Sequence, residues 1–248
     1  ESHKQKSPDK PFFLFHSAQA VHLPSFAGRA FKGKTEAGPH GDFIFELDYV
    51  VGRLMSKLEQ LGYGENTLVI FSSDNGPEVP TVIDMRKTHK HDGARPWRGV
   101  KRDQWEGGHR VPFIARWPGK IRAGSLSGQT ICFTDMLATF AAVVDAELPP
   151  DAGPDSFDIL PVLLGKQPET KPIRGPLVIP AQRGMMSIRS GRWKLITGLG
   201  SGGFSKPAYI KPQPGGPKGQ LYHLGNDLAE TRNLYQEKPD IVKSLQSK

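Results

Sequence analysis

The apolar positions along the chain fall into two textures. From Asp42 onward, Ile44, Leu47, Val51, Leu54, Leu58 and Leu61 recur at steps of three and four, a single stripe along one helix. Asp42 is its expected N-cap, and Gly62 and Gly64 its stop. Pro11-Phe12-Phe13-Leu14-Phe15 and Thr67-Leu68-Val69-Ile70-Phe71 are short unbroken apolar runs that predict buried strands, the second of them parallel. Val111 to Trp117 and Thr130 to Phe133 predict two more, followed by a helix from Asp135 through Val144 and an apolar helical turn over Asp158 to Leu164. A helix feeding a buried strand is α/β grammar. In open α/β sheets ligands bind beyond the carboxyl ends of the strands, where this chain places Ser72-Ser73-Asp74-Asn75-Gly76.

Beyond about Lys171 the pattern shortens. Leu177-Val178-Ile179, Met186 to Arg189, Arg192 to Ile196 and Gln220 to Leu224 read as brief strands, with Ser190-Gly191 marking a hairpin. Gly198 to Gly219, dense in Gly and Pro, reads as a mobile surface loop, and Pro239 to Gln246 as a last helix that opens on a proline. The expected organisation is an α/β part over 1–170 and a small antiparallel sheet with one helix over 171–248.

Composition narrows the class. Hydrophobic residues make up 37% of the 248, and the 28 glycines bring the apolar share close to that of ordinary globular chains, so a sizeable core is available. The longest nearly apolar stretch, Met136 to Val144, is far short of the ~20 residues of a membrane span. No signal-like leader opens the chain; since it begins at Glu1, the N-terminus is expected to have been cut. The single cysteine, Cys132, excludes an internal disulfide and a cysteine zinc site, and reads as a small buried hydrophobe in a strand. The net charge of +8 is focused in Arg86 to Arg110 and Lys166 to Lys218. That suits an anionic partner, or a solvated basic face; no aromatic interleaving or recognition fold points to nucleic acid.

Three places could carry chemistry. Asp74-Asn75-Gly76 is a turn by composition, and also a carboxylate beside an amide oxygen, the donors that a hard cation such as Ca²⁺ or Mg²⁺ prefers. Lys101, in Arg98-Gly99-Val100-Lys101-Arg102, is either a solvated loop lysine or an ammonium that neutralises an anionic ester. His22, in Ala20-Val21-His22-Leu23-Pro24, is either structural or a general acid. His16, His89, His91 and His109 form no zinc array, and no serine-hydrolase elbow or P-loop is present.

Taken in order, Pro11-Phe12-Phe13-Leu14, Val21-His22-Leu23-Pro24, Leu47 to Gly52, Asn66 to Gly76, Arg98 to Lys101, Trp105-Glu106-Gly107-Gly108-His109-Arg110-Val111-Pro112 and Trp117-Pro118-Gly119-Lys120 resemble the type I sulfatases. Arg189 to Ile196, Leu221 to Leu224 and Asp227 to Leu234 look like that family's C-terminal subdomain. The resemblance implies an α/β, alkaline-phosphatase-like sheet, mixed or parallel and here incomplete, with helices on its faces. It implies hydrolysis of sulfate esters with a formylglycine nucleophile and one divalent cation, Ca²⁺ or Mg²⁺. Asp74 and Asn75 then correspond to metal ligands, Lys101 to the residue on the sulfate, and His22 to the donor of a proton to the leaving alcohol. The expected partner is a sulfated small molecule or saccharide, and the expected compartment periplasmic, extracellular or lysosomal. The family's Cys-x-Pro-x-Arg motif and Asp-Asp pair are not in this sequence, since Cys132 is followed by Phe133-Thr134-Asp135. A missing N-terminal segment of the same protein is therefore expected to carry the formylglycine, and this chain alone to be inactive. A phosphodiesterase or phosphomonoesterase of the same superfamily and a non-catalytic binder of sulfated polyanions are the alternatives.

Overall fold

The computed structural model describes residues 2–181 and 184–248. The chain divides into two compact units, Glu1–Leu68 with Glu78–Gly93, and Val69–Pro77 with Ala94–Lys248.

The first unit is helical. A short α1 (Ser2–Lys6) precedes the long α2 (Gly38–Gln60), and Lys4 Nζ donates to Leu61 O just past its end. α2 starts four residues before Asp42, with a proline in its first turn where a missing N–H costs nothing. Asp42 is therefore not the N-cap. It sits inside the helix, buried, and its carboxylate accepts from the backbone N–H of Gly33, Lys34 and Thr35 at 2.6, 3.0 and 2.9 Å. The stripe behaves as its spacing predicts over Leu47, Val51, Leu54 and Leu58, which turn inward, whereas Ile44 is exposed and Phe43 takes the buried place. α3 (Val79–Thr88) contacts α2, with Glu78 capping Val79 N and Val82 and Met85 buried. His89, just past α3, lies against Gly38, where a methyl on Cα would meet its Nε2 at 2.2 Å.

Pro11 to Phe15 is not a strand. It is irregular, with Phe13 and Phe15 73% and 79% exposed. An apolar run becomes a strand only against a neighbour that takes its hydrogen bonds, and no strand exists among the described residues of this unit.

The second unit holds the six strands found among the described residues. β1 (Val69–Ser72) pairs with β2 (Phe113–Arg116) antiparallel, Val69 opposite Arg116 and Ser72 opposite Phe113. The expected parallel pairing of β1 is thus corrected, and β1 is half-buried rather than sealed. Thr130 to Phe133 is likewise no strand: Cys132 is half-buried and heads a 3₁₀ turn, Phe133–Asp135, that runs into α4 (Met136–Val143). Asp135 is fully buried there, bonded to Arg174 Nη1 at 3.0 Å and to the N–H groups of Cys132 and Phe157, which ties the start of α4 to the approach of α5 (Leu160–Leu163).

β3 (Leu177–Pro180), β4 (Met186–Ser190), β5 (Trp193–Ile196) and β6 (Gln220–His223) form an antiparallel sheet in that order. Gly191, at φ 58°, and Arg192 make the two-residue turn from β4 to β5. Strand alternation gives the sheet two faces. Ile188, Leu195 and Leu221 pack on Val242 and Leu245 of α6 (Pro239–Gln246). On the other face Ile196, Tyr222 and Leu224 pack on Trp105. The loop after β5 is not wholly a surface loop. Ser201 is buried, and its N–H and that of Gly202 donate to Pro207 O and Ala208 O. No helix among the described residues is long and apolar enough to cross a membrane.

Candidate active site

Asp74, Asn75 and Lys101 all belong to the second unit. Asp74 and Asn75 follow β1 after a single residue, Ser73. Asp74 is exposed and Asn75 half-buried. Their turn is fixed from below: Gly76 N–H donates to Gly108 O at 3.0 Å, and a Cβ at Gly76 would stand 1.8 Å from Gly107 O. The Glu106-Gly107-Gly108 stretch is glycine-rich for the same reason. A Cβ at Gly107 would meet Gly99 O at 2.5 Å, and one at Gly108 would meet Asp103 O at 2.2 Å.

Lys101 is presented by a tight turn. Asp103 N–H donates to Val100 O at 3.0 Å, which puts Lys101 at the apex, and Arg102 beside it is held at φ 73°. Such a conformation is strained for a residue with a side chain, and survives only when its surroundings over-determine it. They do here. The buried Asp103 carboxylate accepts from Val100 N at 2.9 Å, Phe204 N at 2.8 Å and Ser205 N at 3.0 Å, while Lys101 N–H reaches Pro77 O at 2.9 Å. Asn75, Lys101, Arg102 and His109 consequently line one open pocket of about 290 Å³. His22 belongs to the first unit: it is exposed, and its Nδ1 lies 2.7 Å from Leu23 O.

Behind the pocket lies a buried ionic cluster that the sequence did not suggest. Lys194 Nζ is 3.0 Å from Glu106 Oε1 and 3.1 Å from Glu230 Oε1, and all three side chains are inaccessible to solvent. Arg189 Nη1 at 3.1 Å, Arg110 Nη1 at 3.6 Å and His109 Nε2 at 3.2 Å complete the shell of Glu106. Burial raises the Glu106 carboxyl, but Lys194, His109 and Arg189 outweigh it and hold it well below the usual range. Burial, seconded by Lys194, lowers His109, and burial raises Glu230. A signal for the cluster did exist. The two-residue turn fixes Arg189 opposite Lys194, two like charges that need a buried acid between them.

As a donor set, Asp74 and Asn75 suit a hard divalent cation, supplying a carboxylate and an amide oxygen from one rigid turn. Among the described residues no group of three or more His, Cys, Asp or Glu is placed to hold a metal.

A family model described as Sulfatase matches residues 1–146, more than half of the chain. The chain belongs to the sulfatase family. This chain is 34% identical over 98% of its length to N-acetylgalactosamine-6-O-sulfatase of Bacteroides thetaiotaomicron, of which it covers 47%. It is 38% identical to human arylsulfatase A over 75% of its length, covering 36% of that protein. A solved structure from a glycosaminoglycan-metabolism locus of B. thetaiotaomicron superposes with a TM-score of 0.83 at 32% identity, covering 99% of this chain and 51% of that one. The fold is accordingly the α/β, alkaline-phosphatase-like fold of the type I sulfatases. The chain spans about half the length of the relatives it matches.

Proposed function

We propose that this chain supplies the anion-binding and part of the cation-binding half of a sulfuric ester hydrolase acting on a sulfated saccharide. The supporting observation is that Lys101 and Asn75 line one pocket at the carboxyl end of β1, Lys101 held by its own N–H on Pro77 O and the Asn75 turn by the Gly76 N–H on Gly108 O. Lys101 carries positive charge to the non-bridging oxygens of the ester and to the oxygen that leaves. Asp74 and Asn75 hold a Ca²⁺ or Mg²⁺ ion, which when bound neutralises further charge on the sulfate. His22 is assigned the proton that the departing alcohol takes up. The formylglycine nucleophile is assigned to the remaining half of the length seen in relatives. A saccharide is favoured because a relative matched over 98% of this chain is named N-acetylgalactosamine-6-O-sulfatase.

The test is hydrolysis of 4-methylumbelliferyl sulfate against the matching phosphate by the full-length protein. The sulfate should turn over, and Lys101→Ala should reduce its kcat/KM by on the order of 100-fold or more, as losing one positioned charge donor does. Preferential turnover of the phosphate would replace this reading with a phosphoesterase, and full activity in Lys101→Ala would remove Lys101 from it.

A further inference from the structure

Three fully buried charges at Lys194, Glu106 and Glu230 are an expensive way to fill space. Removing each ion from water costs several kcal/mol, and apolar residues of the same volume commonly serve stability as well or better. The triad's attachments point to another use. Glu106 N–H donates to Glu230 Oε2 at 2.6 Å, and Arg98 Nη1 to Glu230 O at 2.9 Å. Gly107 N–H donates to Arg98 O at 2.7 Å, closing the base of the loop whose apex is Lys101. Arg98 stacks on Trp105 with its guanidinium 3.6 Å from the ring centre. Glu230 itself is held at φ 52°, a second strained residue bound to the same loop. Lys194 comes from the middle of β5 in the C-terminal sheet, so it joins that sheet to one end of the loop base at Glu106 directly, and to the other end at Arg98 through Glu230.

We propose that the Lys194–Glu106–Glu230 triad is a positioning device for Lys101. It fixes the base of the 98–108 loop against the sheet, so that the turn at Val100 to Asp103 holds the Lys101 ammonium at one place in the pocket. Lys194, Glu106 and Glu230 are positioning residues that touch no substrate. The inference rests on the anion-binding role given to Lys101 above.

The experiment compares Lys194→Met/Glu230→Gln, Glu230→Gln and Lys101→Ala in the full-length protein, reading kcat, KM and Tm with the same aryl sulfate. The double variant removes the buried cation without stranding a carboxylate, because Glu106 keeps Arg189 and Arg110. Its Tm is expected within a few degrees of wild type while kcat falls on the order of 100-fold, the scale of an ångström-level misplacement. Glu230→Gln keeps one acceptor oxygen, enough for the Glu106 N–H or for Lys194 but not for both, and is expected to lose kcat by less than the double variant. Wild-type kcat in the double variant, with Lys101→Ala inactive, overturns the positioning role and leaves the function intact. Loss of the fold in the double variant also overturns it, since the triad is then a folding element. Full activity in Lys101→Ala overturns the function itself.

Discussion

Gly76 lies directly beneath the carbonyl of Gly107, so close that a methyl on its Cα would stand 1.8 Å from that oxygen. The obstruction is backbone and cannot swing aside. Gly76→Ala is therefore expected to push the Asp74–Asn75 turn off the Glu106–Gly108 stretch, at a cost of about 1–3 kcal/mol or more. In a domain of this size that lowers Tm by roughly 3–10 °C. Gly52, in the middle of α2, is the control of opposite sign: nothing lies within 4 Å of its missing Cβ. Gly52→Ala should raise stability by about 0.5–1 kcal/mol. Thermal unfolding of the two variants side by side checks both signs.

What could be read from the sequence was whatever depends on near neighbours. The α2 stripe from Leu47 to Leu58, the Ser190-Gly191 hairpin and the proline-led α6 all appear where periodicity and turn chemistry put them. The turn at Asp74–Asn75 and the glycines of Glu106-Gly107-Gly108 were legible as motifs, and the structure adds that each glycine exists because another backbone occupies its side-chain space. Features that depend on distant segments were not legible. Pro11 to Phe15 has the composition of a strand, but an edge to pair with is not a property of the run itself. Asp42 has N-cap chemistry and uses it on the preceding loop, because Pro39 starts the helix earlier. Lys194 between Trp193 and Leu195 reads as the solvent side of a strand until Trp105 and Glu106 are seen to cover that face.

The carboxylate of Asp42 gathers three backbone N–H groups and the Thr35 hydroxyl, and those hydrogen bonds, led by that of Gly33, hold it below the usual carboxylate range. A depressed carboxylate contributes stability above its unfolded value and loses it only as pH falls through the lower folded value. Asp42→Ala should lower Tm at pH 7 and free the 33–35 segment to exchange its amide hydrogens rapidly. Asp42→Asn, which keeps one acceptor oxygen, should lie between Asp42→Ala and wild type. Hydrogen exchange at Gly33 to Thr35 is the decisive reading, because slow exchange in Asp42→Ala would show the loop is held by something else.

Asp135 and Arg174 form a buried pair in which both carboxylate oxygens lie 3.0 Å from Nη1. Arg174→Met leaves the Asp135 charge buried with only the Cys132 and Phe157 N–H groups, and should cost about 3–5 kcal/mol. Arg174→Met with Asp135→Asn should recover part of that loss, since the amide oxygen still accepts while the charge is gone. Urea unfolding of the single and double variants gives the coupling directly, and strict additivity would mean the two side chains do not share one interaction.

His109 lends the fold a pH dependence whose sign is fixed by its surroundings. Burial lowers it, the ammonium of Lys194 3.4 Å from Nε2 adds to that, and Glu106 only partly opposes. In the unfolded chain the imidazole takes up a proton near pH 6.5, while in the folded chain it stays neutral to lower pH. Between the two values the unfolded state binds more protons, so stability falls as pH drops below about 6.5. Glu106 does not contribute in this window, since its depressed carboxyl stays ionised far below it. Glu230, raised by burial, works with the opposite sign: its folded form holds a proton above the usual carboxylate value, and it loses stability as pH rises. His40, lowered by burial beside the Ser25 hydroxyl at 3.0 Å, acts in the same sense as His109. The unfolding free energy of wild type should therefore drop between pH 7.5 and 5.5. His109→Gln should drop less, keeping the share of His40. Urea titrations at the two pH values measure both, and an identical drop in wild type and His109→Gln would mean that His109 is charged in the folded protein.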